Sequence, residues 1–209
     1  MDIKNIPEHE LARLREKAKE LAGSSTDYQS EYSSLLTRRV NHEPLQYIEE
    51  YVPFYSISLK VDERCLIPRP ETEFLIELIK DNIKSPNKIL DVGTGSGCIA
   101  LMMKSLFPES EVTGIDVSED AIELAKENAK LNSLDVSFFE SNLLENVKEK
   151  GHDLVIANLP YIPTENLNEL DREVIDYEPI SALNGGVNGL EVISKLIKEI
   201  EDKQYKNIN

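Results

Sequence analysis

Apolar and polar positions follow two different periodicities along this chain. Near the start, apolar residues recur at helical spacing, which predicts two helices, over about 7–22 and 27–40. Between Phe54 and Val61 apolar and polar residues alternate one by one, which is typical of an antiparallel or edge strand. The pattern therefore predicts a small N-terminal helical unit over residues 1–42, followed by a linker with a β-hairpin over residues 43–70.

From Lys88 onward, short apolar runs alternate with helical patterns. The predicted strands cover 88–92, 111–116, 136–140 and 153–158, and the predicted helices cover 98–107, 119–131 and 190–200, with one earlier helix from about 71 to 83. Apolar runs this short that lack a polar face are typical of parallel strands buried on both sides. Strand and helix in alternation predict a parallel sheet with right-handed crossovers, so we expect residues 71–209 to form an α/β domain.

Composition narrows the range of partners. The 209 residues include 39 acidic and 23 basic side chains, a net charge of −16 that repels phosphate backbones, so direct nucleic-acid binding is not expected. Cys65 and Cys98 stand alone without metal-ligand spacing, which favours a reducing compartment and no metal site. Because no leader pattern and no apolar run of about 18 residues is found, we expect a cytoplasmic protein that does not bind membranes.

A glycine-rich segment, Asp91 to Gly97, lies between the first sheet strand and the next helix. Its GxGxG spacing differs from the GxGxxG pattern that binds a pyrophosphate, and no P-loop lysine follows. Asp116 ends the next strand, where its carboxylate can accept hydrogen bonds from both hydroxyls of a ribose. A ribose without a pyrophosphate indicates S-adenosylmethionine, although a purely structural strand-to-helix turn is the alternative. The predicted cofactor contacts are Gly93, Thr94, Gly95, Ser96, Gly97 and Asp116, with Asn142 near the adenine.

The second candidate motif is Asn158-Leu159-Pro160-Tyr161, which follows the last predicted strand. A planar nitrogen, in a carboxamide or an adenine amine, is a weak nucleophile that must be held in line with the reactive methyl. The Asn158 side-chain oxygen and a backbone carbonyl of Leu159 or Pro160 could accept both of its N–H bonds and stabilise the developing positive charge. Tyr161 could stack on the planar group.

Asn158, Pro160 and Tyr161 are therefore the predicted catalytic residues. All four residues are expected to bind the substrate, and Asn158 also to contact the cofactor. Taken alone, the motif also fits a strand ended by a tight proline turn.

Together these motifs resemble the peptide chain release factor N5-glutamine methyltransferases of the PrmC/HemK type. The resemblance rests on residues 43–48, 66–73, 91–97, Asp116, 158–161, Glu178-Pro179 and Gly185-Gly186. The discriminating feature is the Ile-Pro-Arg-Pro-Glu-Thr-Glu segment joined to the tetrapeptide, because the other motifs occur in many methyltransferases. The resemblance implies a Rossmann-like fold and transfer of a methyl group from S-adenosylmethionine to the Gln side-chain amide of the Gly-Gly-Gln loop of a release factor. It makes the release factor the protein partner, and we expect a monomer.

The sequence departs from that family at several places. Leu159 stands where proline is usual, Asn41-His42 stands where a glycine is usual, and the N-terminal helical unit is shorter. Three further strands of the family's sheet are not found after the last helix, so we expect a C-terminally truncated sheet. In it, the strand before Asn158 would be an open edge with exposed apolar faces. Two alternatives stay open: N6-adenine methylation of DNA or RNA, and a truncated, inactive cofactor-binding module.

Overall fold

The computed structural model describes residues 3–23, 27–148 and 151–202. The helices are α1 (Glu8–Ala22), α2 (Tyr28–Val40), α3 (Leu45–Glu49), α4 (Glu71–Asn82), α5 (Cys98–Leu106), α6 (Glu119–Leu131), α7 (Arg172–Ile175) and α8 (Glu191–Asp202). The strands are β1 (Tyr51–Phe54), β2 (Ile57–Lys60), β3 (Lys88–Val92), β4 (Glu111–Asp116), β5 (Ser137–Glu140) and β6 (Leu154–Ala157). Short 3-10 turns cover Ile3–Asn5, Thr164–Glu169 and Ile180–Ala182. No helix within these ranges is both long and apolar enough to cross a membrane.

The N-terminal helices share one small core. Leu14 and Ala18 of α1 and Leu35 of α2 lie in one buried cluster with Leu45 and Ile48 of α3. The two helices predicted from the spacing of apolar residues are confirmed, whereas the five-residue α3 was not predicted. Because α3 supplies two of the buried side chains, the linker packs into the unit that it follows.

The turn between α2 and α3 explains one departure from the related family. His42 has φ of 71°, in the left-handed region that glycine adopts most easily. The backbone at this position therefore has a conformation that favours glycine, and here a histidine adopts it. The cost for a residue with a Cβ is about 1–2 kcal/mol.

The first strands form an antiparallel hairpin, β1 with β2, in which Val52 lies opposite Leu59. Leu59 is fully buried while Ser58 is exposed, as the alternating pattern predicts. Hydrogen bonds from Asn128 of α6 to the backbone of Lys60 hold the hairpin against the larger domain, with the Lys60 N–H 2.7 Å from the Asn128 Oδ1.

The main sheet is four-stranded and parallel, with the order β5-β4-β3-β6. One face packs with Ile89 and Ile156 in the larger core cluster, and the other packs Leu90 and Val92 against Leu196 of α8. Burial on both faces explains why β3 and β6 carry apolar residues at consecutive positions, Ile89-Leu90 and Leu154 to Ala157. The predicted α/β sheet and its four strands are confirmed.

The edge strand β6 corrects one expectation. It pairs with β3 on one side, and no other strand pairs with it among the described residues. Its apolar faces are nevertheless covered, since Leu154 and Ile156 are 8% and 4% exposed and Val155 packs with the cluster that contains Leu196. The prediction of exposed apolar faces was therefore wrong. The α8 helix covers the sheet face that includes Val155. What stays unpaired is the backbone of β6 on the side away from β3, among the described strands.

Candidate active site

The glycine turn after β3 adopts a backbone path that side chains rarely allow. Gly93, Gly95 and Gly97 have φ of 75°, 54° and 83°. The N–H groups of Gly93 and Thr94 donate to the Ile115 carbonyl at 2.8 and 2.9 Å, which fastens the turn to the end of β4. The turn thus lies at the carboxyl ends of two adjacent strands, where parallel sheets bind ligands.

Gly97 has a different role from the first two glycines. A Cβ at this position would lie 3.2 Å from the Ala125 Cβ and 3.3 Å from the Phe138 ring. Gly97 immediately precedes α5, so the missing side chain lets α5 begin close to α6. The structure therefore places Gly97 in the packing behind the turn rather than on the wall of the cavity described below.

Asp91 lies directly below the turn and is fully buried. Its Oδ2 accepts hydrogen bonds from the Thr94 hydroxyl at 2.7 Å and from the Ala100 N–H at 3.2 Å. Its Oδ1 has no hydrogen-bond partner among the described residues. Burial raises the pKa of Asp91 to about 7, although both donors favour the charged form. The sequence analysis included Asp91 in the glycine-rich segment but predicted no function for it.

Asp116 connects the end of β4 to the glycine turn. Its Oδ2 accepts from the Gly95 N–H at 2.9 Å and its Oδ1 from the Ser118 N–H at 3.0 Å. Burial raises the pKa of Asp116, and the backbone donors oppose this shift. Each carboxylate oxygen keeps acceptor capacity, because an ionised carboxylate has about four acceptor sites. The carboxylate can therefore bind the turn and a ligand hydroxyl together.

A cavity of about 240 Å³ lies above this edge of the sheet. Most of the residues predicted to contact the cofactor or substrate line it: Gly93, Thr94, Gly95, Ser96, Asp116, Asn142, Asn158, Leu159 and Pro160. Asn142 is exposed after β5 and donates to the Glu145 carboxylate at 3.3 Å. The structure thus gathers the two motifs, which lie far apart in sequence, around one cavity.

A second cavity, of about 400 Å³, lies on the other side of Asn158 and includes Tyr161 in its wall. The residues common to both walls are Leu66, Arg69, Thr72, Asn158, Leu159 and Ala182. The Asn158 Nδ2 donates to the Thr72 Oγ1 at 3.5 Å. Asn158 therefore stands at the boundary between a space beside the glycine turn and a space beside the tyrosine.

The chain after the tetrapeptide is held by the segment from Leu183 to Gly189. The Ile162 N–H donates to the Leu183 carbonyl at 3.0 Å, and the Gly185 N–H donates to the Ile162 carbonyl at 2.9 Å. A Cβ at Gly185 would lie 2.7 Å from the Tyr161 Cα, so a larger residue would push the two segments apart. Tyr161 itself is 66% exposed, which leaves its ring accessible.

Leu159 links the tetrapeptide to the glycine turn. Its side chain is buried, and a Cβ placed on Gly93 would lie only 3.0 Å from the Leu159 Cδ2. Leucine at the position where related sequences usually have proline thus packs directly on the turn. Only the side chain differs, and the backbone carbonyl of residue 159 is retained.

The Ile67–Glu73 segment is fixed by the buried carboxylate of Glu178, to which the sequence analysis gave no role of its own. Glu178 lies 2.6 Å from the Arg69 guanidinium and also accepts from the Ile67 N–H at 3.1 Å. Burial raises the pKa of Glu178, and Arg69 opposes the shift. Arg69 between two prolines and the Glu178-Pro179 pair were both visible in the sequence. Their pairing was not, because it joins residues 109 positions apart.

The class of protein follows from these features. A parallel sheet of this order, a glycine turn after its central strand and an acid at the end of the next strand define the Rossmann-like methyltransferase fold. The model of the family described as "Methyltransferase small domain" matches residues 70–176. The chain belongs to this methyltransferase family.

Curated relatives give a more specific likeness. A protein of Thermodesulfovibrio yellowstonii named release factor glutamine methyltransferase is 44% identical over 173 residues, which are 80% of this chain and 62% of the relative. A protein of Streptococcus pneumoniae with the same name is 41% identical, over 77% of this chain and 58% of the relative. The resemblance predicted from the sequence is confirmed. This chain spans about three-fifths of the length of these curated relatives.

Solved structures support the fold alone, because their sequences are distant. A methyltransferase from Pyrococcus furiosus has a TM-score of 0.54 at 22% identity, covering 82% of this chain and 73% of that one. The hMettl16 catalytic domain, solved in complex with the MAT2A 3′UTR hairpin 1, has a TM-score of 0.61 at 14% identity, covering 97% of this chain and 75% of that one. Both comparisons agree with the predicted methyltransferase fold.

Proposed function

We propose that this chain transfers a methyl group from S-adenosylmethionine to the side-chain amide nitrogen of the glutamine in the Gly-Gly-Gln motif of a peptide chain release factor. The observation that carries the proposal is the position of Asn158 in the wall shared by two cavities. One cavity contains the glycine turn and Asp116, and the other contains Tyr161. The names of the curated relatives support the choice of substrate.

The residues present fit S-adenosylmethionine. At Gly95 a Cβ would meet nothing closer than the Cys65 Cβ at 4.0 Å, so the backbone of the turn is open to a ligand. The Asp116 carboxylate lines this cavity, and we propose that it binds the ribose hydroxyls, with Asn142 of the same wall near the adenine. When bound, S-adenosylmethionine supplies an electrophilic methyl group on a sulfonium. We assign Gly93, Thr94, Gly95, Ser96, Asp116, Asn142 and Asn158 to this cofactor, with Gly97 supporting the turn.

The tetrapeptide would orient the substrate amide. The Asn158 side-chain oxygen accepts one N–H of the glutamine nitrogen, and the backbone carbonyl of Leu159 or Pro160 accepts the other. These acceptors hold the nitrogen in line and stabilise the positive charge that develops on it as the new N–C bond forms and the S–C bond breaks. The extra proton then leaves to solvent, so the site needs no strong base. Tyr161 stacks on the planar group.

Methylation of adenine on a nucleic acid is the second candidate, because the Asn-Leu-Pro-Tyr form could hold an adenine amine in the same way. The net charge of −16 disfavours it by repelling phosphates. The relatives that match over most of this chain are named for glutamine methylation. We therefore propose a release factor as the partner and, since release factors act on ribosomes, a location in the cytoplasm. We also propose that the protein is a monomer.

The proposal is tested by incubating the protein with labelled S-adenosylmethionine and an unmethylated release factor. Label should enter the factor, and a factor with Gly-Gly-Ala in place of Gly-Gly-Gln should stay unlabelled. Asn158→Ala should lower the rate by about a hundredfold or more, as expected when an acceptor that acts mainly in the transition state is lost. Asn82→Ala is the matched control, since Asn82 is exposed at the end of α4 and lines neither cavity.

The other outcomes separate the alternatives. Label in the factor that does not depend on the glutamine would refute the assignment of the substrate. Labelling of DNA or RNA instead would support adenine methylation. Cofactor binding by calorimetry without any transfer would show a binding module that does not catalyse the reaction.

A further inference from the structure

The side chain of Asn158 has two different ends, and only one of them suits the proposed chemistry. An amide presents an oxygen that accepts and an NH2 group that donates. If the amide were rotated by 180°, its NH2 group would face the N–H groups of the substrate nitrogen. Donor would then meet donor, and the nitrogen would lose its hydrogen bond. A neighbour that accepts a hydrogen bond from the NH2 group would favour the productive orientation before the substrate binds.

We propose that Thr72 is a positioning residue that fixes the orientation of the Asn158 amide, so that the amide oxygen faces the substrate nitrogen. The inference rests on the proposed function and extends it to a residue outside the tetrapeptide. The Asn158 Nδ2 donates to the Thr72 Oγ1, and the Asn158 oxygen accepts no hydrogen bond from the described residues. Its 3.5 Å length is long, but hydrogen bonds of catalytic groups often shorten when the substrate binds.

Thr72 is itself held in place from several sides. It lies in the first turn of α4 and is buried, with its N–H 3.0 Å from the Arg69 carbonyl. Ile76 and Ile79, further along α4, are buried in the main core cluster and fix the helix. The hydroxyl of Thr72 therefore has a fixed position from which it can orient the Asn158 side chain between the two cavities.

Glu178 further fixes the segment that leads into α4. Its carboxylate is bound by the Arg69 guanidinium and by the Ile67 N–H, so both residues that lead into α4 are tied to the segment after α7. The Ile-Pro-Arg-Pro-Glu-Thr-Glu segment and the tetrapeptide are thus joined by the hydrogen bond from Asn158 to Thr72. This connection gives the threonine of the segment a chemical reason to accompany the asparagine of the tetrapeptide.

The test compares Thr72→Val, which keeps the shape but removes the hydroxyl, with Thr72→Ser, which keeps the hydroxyl. Thr72→Val should lower kcat for methylation of the release factor by about three- to tenfold, the net value of one hydrogen bond. The Tm should stay close to that of the wild type, and the Kd for S-adenosylmethionine by calorimetry should change less than kcat does. Thr72→Ser should restore kcat to within about twofold. Thr37→Val, on the exposed surface of α2, is the matched control for threonine replacement.

Three results would overturn the proposal. The first is an unchanged kcat in Thr72→Val, and the second is an equal loss of kcat in Thr72→Ser. The third is a large loss of thermal stability in Thr72→Val, because this would show a structural role only. The proposed function fails separately, when the wild-type protein does not methylate the glutamine at all.

Discussion

Replacing Asp91 by asparagine should remove a large part of the pH dependence of folding. Burial raises the pKa of Asp91 from an ordinary 3.8 to about 7, so the folded protein holds this proton more tightly than the unfolded chain does. The resulting stabilisation is fully present below pH 3.8 and is lost as the pH rises through about 7. Asparagine cannot titrate, and one amide oxygen can replace the Oδ2 that accepts from Thr94 and Ala100.

The magnitude follows from the shift. From about 3.8 to about 7, at about 1.4 kcal/mol per pH unit, the wild type should lose roughly 4 kcal/mol of stability through this group. Between pH 5 and pH 8 the loss should be about 3 kcal/mol. The carboxyl groups whose pKa is lowered, such as Glu127 beside Arg64, act in the opposite direction. They are the same in both proteins, so the difference between variant and wild type isolates Asp91.

Urea denaturation of both proteins at pH 5 and at pH 8 measures this difference. The free energy of unfolding of Asp91→Asn minus that of the wild type should be about 3 kcal/mol more positive at pH 8 than at pH 5. A difference that stays constant within about 0.5 kcal/mol would refute the reasoning, because it would mean that the buried carboxyl group does not change its protonation in this range.

The remaining predictions concern the two cavities and the segments that support them. Gly185→Ala should destabilise the protein by about 2 kcal/mol or more and abolish methyl transfer, because the new Cβ would lie 2.7 Å from the Tyr161 Cα. A variant with the same Tm as the wild type would contradict this. Asp116→Asn should weaken S-adenosylmethionine binding by about tenfold or more, because charge-assisted bonds to ribose are lost, and calorimetry that gave the wild-type Kd would exclude this role for Asp116. Glu178→Gln should cost about 1–2 kcal/mol in urea denaturation, because the ion pair with half-buried Arg69 is lost while an acceptor for the Ile67 N–H is kept. Equal stability of variant and wild type would show that this ion pair adds nothing to folding.

The sheet was predictable from the sequence because its signals are local. β3 and β6 have apolar residues at consecutive positions, Ile89-Leu90 and Leu154 to Ala157. Ser118 caps α6 by accepting a hydrogen bond from the Ala121 N–H, as its position in the sequence indicated. Since parallel strands end at one edge, the sequence alone predicts that the glycine turn and Asp116 lie together. The same rule brought Asn158 to that edge.

The features that were missed depend on long-range contacts. The pairing of Arg69 with Glu178 and the contact of Thr72 with Asn158 join residues 109 and 86 positions apart, and no local pattern specifies either. Helix α3 is short and begins after Pro44, so its five residues do not show a full helical period. The cover on the faces of β6 was also missed, because burial by packed helices depends on tertiary arrangement.

The contact between Leu159 and Gly93 has a thermodynamic consequence. A movement of the glycine turn towards Leu159 displaces this leucine, because closely packed groups have little free space between them, and Leu159 lies in the wall shared by the two cavities. If a ligand beside the turn changes the affinity of the neighbouring cavity, then the occupant of that cavity changes the affinity for the first ligand by the same factor. The Leu159 side chain is therefore a contact through which occupancy of one cavity can affect the affinity of the other.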